Sequence, residues 1–157
     1  MRIYLAGTAK SVGNRRYLEG IASRLEEDTH DVFLPHRDGK LPGRQGEEKG
    51  LLTSMNRASM GRMVFEGCLD LILHSDAVVA VLDGICWGTT LELGYAYAHK
   101  THHYANLIIV GIYTDPIDPL DIMRLHACDT ILRSEEELPG TLKQLEKQSQ
   151  RSAPTLH

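Results

Sequence analysis

SDAVVAVLDG, residues 75–84, holds a near-continuous apolar run from Ala77 to Leu82 that ends in Asp83-Gly84. A strand with one wet face alternates polar and apolar residues, whereas a strand covered on both faces of a parallel sheet does not. The stretch therefore reads as an interior strand of a parallel sheet, closed by a turn. Working outward, four more short runs have strand character: IYLAG (3–7), DVFLP (31–35), NLIIVGIY (106–113) and TILR (130–133). Apolar residues at helical spacing separate them. These are Tyr17, Leu18, Ile21, Ala22 and Leu25 in 14–27, and Met60, Met63, Val64, Leu71 and Ile72 in 55–74. Leu91, Tyr95 and Ala98 follow in 89–100, then Leu138, Leu142 and Leu145 in 135–148. Strands alternating with helices imply βαβ units and right-handed crossovers. The expected fold is α/β, a three-layer sandwich with a five-stranded parallel sheet, flavodoxin-like or Rossmann-like. One domain is expected over residues 1–148, with 149–157 a frayed C-terminal tail.

The bulk properties agree with a globular chain and exclude several functions. At 157 residues, with 42% hydrophobic and 24% charged residues, the chain can bury a real core. A net charge of −4 argues against a nucleic-acid surface, which calls for a basic stripe. No run of apolar residues is long enough to span a membrane. The N-terminal MRIYLAG enters a strand directly, without the pattern of a signal peptide. Cys68, Cys86 and Cys128 are odd in number and lack CxxC spacing, so neither a disulfide framework nor a structural zinc site is expected. A reducing, cytoplasmic setting is the default. His102-His103 reads as a solvated helix end, and no metal is expected.

Ligands of open parallel sheets collect beyond the carboxyl ends of the strands. That expectation gathers residues 7–13, 35–39 and 83–90 around one crevice. Residues 36–54 form the longest irregular stretch, a length that is usually functional or disordered in a compact domain. The segment AGTAKSVGNRRY (6–17) joins the first strand to the first helix. Its small residues Gly7 and Thr8, a helix N-terminus, Lys10 and Arg15 suit an anion or a polar ligand. It matches neither GxGxxG nor GxxxxGK[ST], which disfavours a dinucleotide or a triphosphate.

WGTTLELGYAYA (87–98) contains one acid, Glu92. With a threonine of Thr89-Thr90 as N-cap, Glu92 is expected in the first turn, where the helix dipole favours its ionised form. An ionised, partly desolvated carboxylate is what covalent glycosyl transfer requires. It is equally what a simple first-turn dipole contact would look like.

YLAG at 4–7, SDAVVAVLDG at 75–84 and GTTLELGYAYA at 88–98 together resemble the nucleoside 2-deoxyribosyltransferase family, over most of the chain from Met1 to about Leu132. The GTxxELGYA segment is the specific part. The resemblance implies a nucleophilic Glu92 that forms a covalent deoxyribosyl intermediate and a Tyr4 that assists it. It implies an enzyme that breaks the N-glycosidic bond of a 2′-deoxynucleoside and passes the sugar to another base. Related members give the sugar to water, several of them acting on nucleoside 5′-monophosphates. No cofactor is implied, because the carboxylate supplies the covalent step. The implied partners are a nucleoside or nucleotide and a nucleobase, with no nucleic acid polymer and no membrane. A homodimer or higher homo-oligomer with shared sites is expected.

The departures from the family pattern bear on the substrate. An aspartate six residues before the nucleophile, which serves the base, is Cys86 here; Asp83 is the nearby substitute. Another frequent acid is Cys68 here, with Asp70 offset by two. Gly88 and Trp87 flank the nucleophile, with Trp87 a candidate to stack on the base. Arg37 and Asp38 of PHRDGKLPG (35–43) are candidates to read base edges. In DPLDIMRLHACD (118–129) the family reaches into a neighbouring subunit's site, which implicates Asp121 and Met123. Transferases tend to carry Asn and nucleotide hydrolases Ser where Asp121 stands. A carboxylate there would repel a phosphate by ~4 kcal/mol at an effective dielectric of 20 and accept from a 5′-hydroxyl instead. Asp121 thus argues for nucleosides, while Lys10 and Arg15 argue for 5′-monophosphates. The loss of acids at 68 and 86 also keeps open a non-catalytic nucleotide-binding module.

Overall fold

The computed structural model describes residues 1–39, 57–103, 105–115 and 121–152. The expected segment 36–54 and the expected tail 149–157 lie partly outside these, which leaves residues 40–54 and 153–157 of them undescribed. Five strands form one sheet: β1 (Arg2–Ala6), β2 (Asp31–Phe33), β3 (Ala77–Val81), β4 (Ile108–Ile112) and β5 (Thr130–Leu132). They pair in the order β2-β1-β3-β4-β5, every pair parallel, with Tyr4 opposite Val78 and Ala80 opposite Gly111. The sheet is the five-stranded parallel one expected from the sequence, and its order reverses between β1 and β3. The β1/β3 boundary is the topological switch point, where such sheets open a crevice for ligands.

The helices are α1 (Val12–Glu27), α2 (Pro35–Asp38), α3 (Arg57–Leu73), α4 (Trp87–His103), α5 (Ile122–His126) and α6 (Leu138–Ser152), with a 3-10 turn at Glu135–Glu137. The last helix continues past residue 148, where the tail was expected to fray. Ser11 starts α1 by accepting a hydrogen bond from the Asn14 N–H at 3.0 Å. Ser134 and Glu137 form a capping box before α6.

Alternate residues of each strand serve opposite layers. Ile3, Leu5, Val79, Val81, Val110 and Ile112 pack with Leu18, Ile21 and Leu25 of α1 and Leu138 and Leu142 of α6. Tyr4, Ala6, Val78, Ala80, Leu82 and Ile109 pack with Ile72 of α3 and Leu93 and Ala96 of α4. Gly111 is required by close approach. A Cβ there would stand 2.5 Å from Ile131 Cδ1 and 2.8 Å from Leu82 Cδ1.

Two helical stripes differ from the sequence expectation. In α4 the sheet-facing stripe is Thr89, Leu93 and Ala96, and Leu91 is 55% exposed. In α3, Met63, Val64 and Phe65 are exposed while Ile72 is buried. Both helices therefore turn apolar side chains outward as well as inward. None of the described helices is long and apolar enough to cross a membrane.

Candidate active site

Tyr4 stands at the middle of β1 and is fully buried. Its side chain belongs to the α3–α4 layer, and its ring stacks on Phe33 of β2 at 5.9 Å between centroids. Its hydroxyl donates to Glu92 Oε1 at 2.7 Å. This bond joins β1 to the helix after β3, so it spans the switch point of the sheet. Residues 88 positions apart are brought together by the βαβ winding alone.

The helix begins at Trp87, two residues before Thr89, so the expected threonine N-cap is not formed. Thr89 instead lies in the buried stripe, its hydroxyl without a hydrogen-bond partner among the described residues. Thr90 bonds back to the Cys86 carbonyl through both N–H and Oγ1. Glu92 consequently falls in the second turn, outside the zone where the dipole acts strongly. Burial pushes the Glu92 carboxyl above the ordinary carboxylate range, and the Tyr4 hydrogen bond pulls it back only in part. The expected dipole-stabilised carboxylate is thus a desolvated one, held by a phenol.

Burial, then the Glu92 charge, keep the Tyr4 phenol protonated far beyond its usual range. The half-buried Cys68 thiol of α3 is a third member of the cluster. It interacts with the Tyr4 hydroxyl, and burial and Glu92 both push its titration upward. The arrangement is a carboxylate with one oxygen pinned by a phenol that cannot ionise. Its Oε2 has no hydrogen-bond partner among the described residues. Such a group can act as a nucleophile or as a base.

The other predicted residues divide into those near the pair and those engaged elsewhere. Cys86, Trp87 and Gly88 form the entry to α4; Trp87 is 78% exposed and Gly88 has open space at its Cα. Gly7 follows β1 and abuts Leu18, where a Cβ would come within 2.5 Å of Leu18 Cδ2. Thr8 lines a cleft of about 480 Å³ on the α1 side of the strand ends, with Asn14, Tyr17 and Glu135. Asp83 lines the same cleft rather than meeting Glu92. Its carboxylate accepts from Thr114 N at 2.7 Å, Thr114 Oγ1 at 2.8 Å and Asp115 N at 3.0 Å. The residue alternation explains this: Leu82 faces the α3–α4 layer, so Asp83 faces the opposite one.

Arg37 and Asp38 are not brought to the pair. Arg37 is paired with Asp38 and with Glu26 and donates to the Val32 carbonyl. Asp38 accepts from the Leu34 N–H at 2.8 Å. Both line a pocket along the β2 edge of the sheet with Arg2, Asp31 and Phe33. Arg15 donates to the Ala9 carbonyl at 3.0 Å and so braces the first βα loop, while Lys10 is exposed. Asp121 caps α5, its Oδ1 accepting from Met123 N and Arg124 N. That capping role weakens the inference from Asp121 to a 5′-hydroxyl. Met123 is 76% exposed. Sequence reading missed Thr114, the partner of Asp83, and Arg124, because contacts between distant loops leave no local pattern.

The sequence profile of the nucleoside 2-deoxyribosyltransferase family matches residues 3–132. Among curated protein sequences none matches this one. Among solved structures, a 2-deoxyribosyltransferase of Bacillus psychrosaccharolyticus superposes with a TM-score of 0.68 at 18% identity, covering 88% of this chain and 90% of that one. A CMP N-glycosidase of Clostridium botulinum superposes with a TM-score of 0.55 at 17% identity, covering 92% of this chain and 98% of that one. At such identities the two structures establish a common fold.

Proposed function

Since this chain belongs to the nucleoside 2-deoxyribosyltransferase family, we propose that it cleaves the N-glycosidic bond of a 2′-deoxynucleoside and transfers the sugar to another nucleobase. The family acts on small-molecule nucleosides or nucleotides. The observation that carries the reading is the 2.7 Å Tyr4–Glu92 hydrogen bond across the switch point of the sheet. The free oxygen of ionised Glu92 attacks C1′ as the C1′–N bond breaks, and the departing base takes the bond's electron pair and a proton from solvent water. The second base then attacks C1′ as the Glu92–C1′ bond breaks, gives its N–H proton back to water, frees the Glu92 carboxylate and restores the original configuration. Tyr4 holds the other oxygen throughout and remains protonated. Gly7, Cys86, Trp87 and Gly88 are the proposed contacts to sugar and base, while Thr8 and Asp83 line the α1-side cleft and Asp83 holds the exit of β4.

A second reading is hydrolysis of a (deoxy)nucleoside 5′-monophosphate. It is favoured by the exposed Lys10, which makes no hydrogen bond or ion pair among the described residues and stands on the loop after β1. A non-catalytic nucleotide-binding module is the third, motivated by cysteines at 68 and 86.

One product analysis separates them. The protein is incubated with deoxynucleosides and with 5′-monophosphates, each with and without a second free base. A new nucleoside that forms only with the acceptor base is the expected result. Free base from a monophosphate without acceptor establishes hydrolysis instead. Binding without any product establishes the module and sinks both catalytic readings.

We also propose a homo-oligomer. Ile85, Trp87, Leu91, Tyr97, Ile122, Met123 and Leu125 form an exposed apolar set around α4 and α5, of a kind that soluble monomers rarely leave open. Sedimentation should give a dimer or larger at micromolar concentration, and Ile122→Asp should shift it toward monomer. A wild-type monomer under those conditions refutes the assembly.

A further inference from the structure

We infer that Arg124 is a positioning residue for Glu92, acting through the turn between β3 and α4. The inference rests on the reading of Glu92 as the nucleophile. Arg124 sits on α5, yet its Nη1 donates to the Leu82 carbonyl and to the Gly84 carbonyl, both at 3.0 Å. These carbonyls lie past the last ladder pair of β3, which joins Val81 to Ile112, so no neighbouring strand pairs with them there. A half-buried guanidinium that bonds two carbonyls satisfies acceptors that would otherwise be lost to the sheet.

The two carbonyls flank Asp83, whose carboxylate is anchored on Thr114 and Asp115. Residues 82–84 are therefore gripped from two directions, by the exit of β4 and by α5. Gly84 has a φ of +69°, the left-handed reversal that swings the chain from the strand toward α4. Three residues later α4 begins, and Glu92 is carried on it as on a rigid rod. A shift of the rod's origin is transmitted to the Glu92 carboxylate, and a misplacement of about 1 Å can cost a reaction about 10²-fold.

The grip is itself held in place. Asp121 caps α5 through the N–H groups of Met123 and Arg124. Asp121 thus fixes the helix that aims the guanidinium. Lysine cannot replace it fully: its stem is shorter, and its rotatable ammonium is not held in a fixed plane as the Nη1 that serves both carbonyls is.

The test uses Arg124→Ala and Arg124→Lys in the full-length protein, with two readouts. The first is turnover of the substrate found by the product analysis. In Arg124→Ala, kcat should fall about tenfold or more while KM changes less than about threefold, and added guanidinium ion should restore part of kcat. Arg124→Lys should lie between the two. The second readout is the ¹³C carboxyl titration of Glu92, identified by its loss in Glu92→Gln. In Arg124→Ala it should move toward an ordinary carboxylate value as the side chain loosens from its buried position. Folded Arg124 variants with unchanged kcat and unchanged Glu92 titration overturn the inference, as does a kcat loss in Arg124→Ala that guanidinium leaves untouched and that comes with no change in the titration. If Arg124→Ala does not fold, Arg124→Lys alone decides by the same readouts. If Glu92→Gln retains turnover, the nucleophile reading fails, and the titration still reports whether Arg124 places the carboxylate.

Discussion

Glu92→Gln should lower the proposed sugar transfer by ~10³-fold or more and should yield a protein that melts higher than the wild type at pH 7. The loss follows from chemistry: an amide oxygen is a poor nucleophile, and no second carboxylate meets Tyr4 among the described residues. The gain follows from linkage. Burial raises the Glu92 pKa in the folded state above its unfolded value. Between those two values the folded protein holds more protons than the unfolded one, so stability falls as pH rises through that window. Above the raised pKa the full cost of a buried charge remains. Glutamine keeps the acceptor for Tyr4 without the charge, so it should gain a few °C at pH 7 and almost nothing near pH 4. Melting curves of both proteins across that range, with the exchange assay at each pH, provide the check. A melting difference independent of pH would mean that Glu92 bears no desolvation cost. Undiminished exchange would end the covalent mechanism.

Tyr4→Phe should lower activity at pH 7 by roughly tenfold or more and move the acid limb of the rate profile to higher pH. The phenol is the one group that pulls the Glu92 pKa down, against desolvation. Without it the carboxylate titrates higher still, and less of it is ionised at neutral pH. Part of the deficit should therefore disappear as pH rises, while the part due to lost aim on C1′ should persist. The ring remains and keeps its stacking on Phe33. The fold should survive, with a cost of ~1–3 kcal/mol for the buried oxygen left without its donor. Measuring kcat/KM against pH for both proteins separates the two parts. An unshifted acid limb would mean that Tyr4 does not tune Glu92.

The layout of the sheet was readable from the chain because burial on both faces leaves a simple trace. Ala77–Val81 and Ile108–Ile112 are buried at every position, so their apolar runs have no gaps. Edge strands are shorter, and β2 and β5 hold three residues each where five and four were expected. Helix faces were harder to read. The α4 stripe was placed on Leu91, Tyr95 and Ala98, while Thr89, Leu93 and Ala96 face the sheet. A helix with apolar residues on two faces carries two stripes, and periodicity alone does not say which one the core takes.

The sequence by itself determined that strands and helices alternate, that the sheet is parallel, and that Tyr4 and Glu92 are the residues to examine. Those properties are written in local pattern and in a short motif. Tertiary structure alone decided that Glu92 lies in the second turn with its charge opposed by burial. It alone turned Asp83 toward Thr114, tied Arg37 to Glu26 and Asp38, and brought Arg124 onto the carbonyls of residues 82 and 84. Each of these depends on which groups distant in the chain are brought within hydrogen-bonding distance. A polar side chain takes the partner that packing offers, and its residue type does not name that partner in advance.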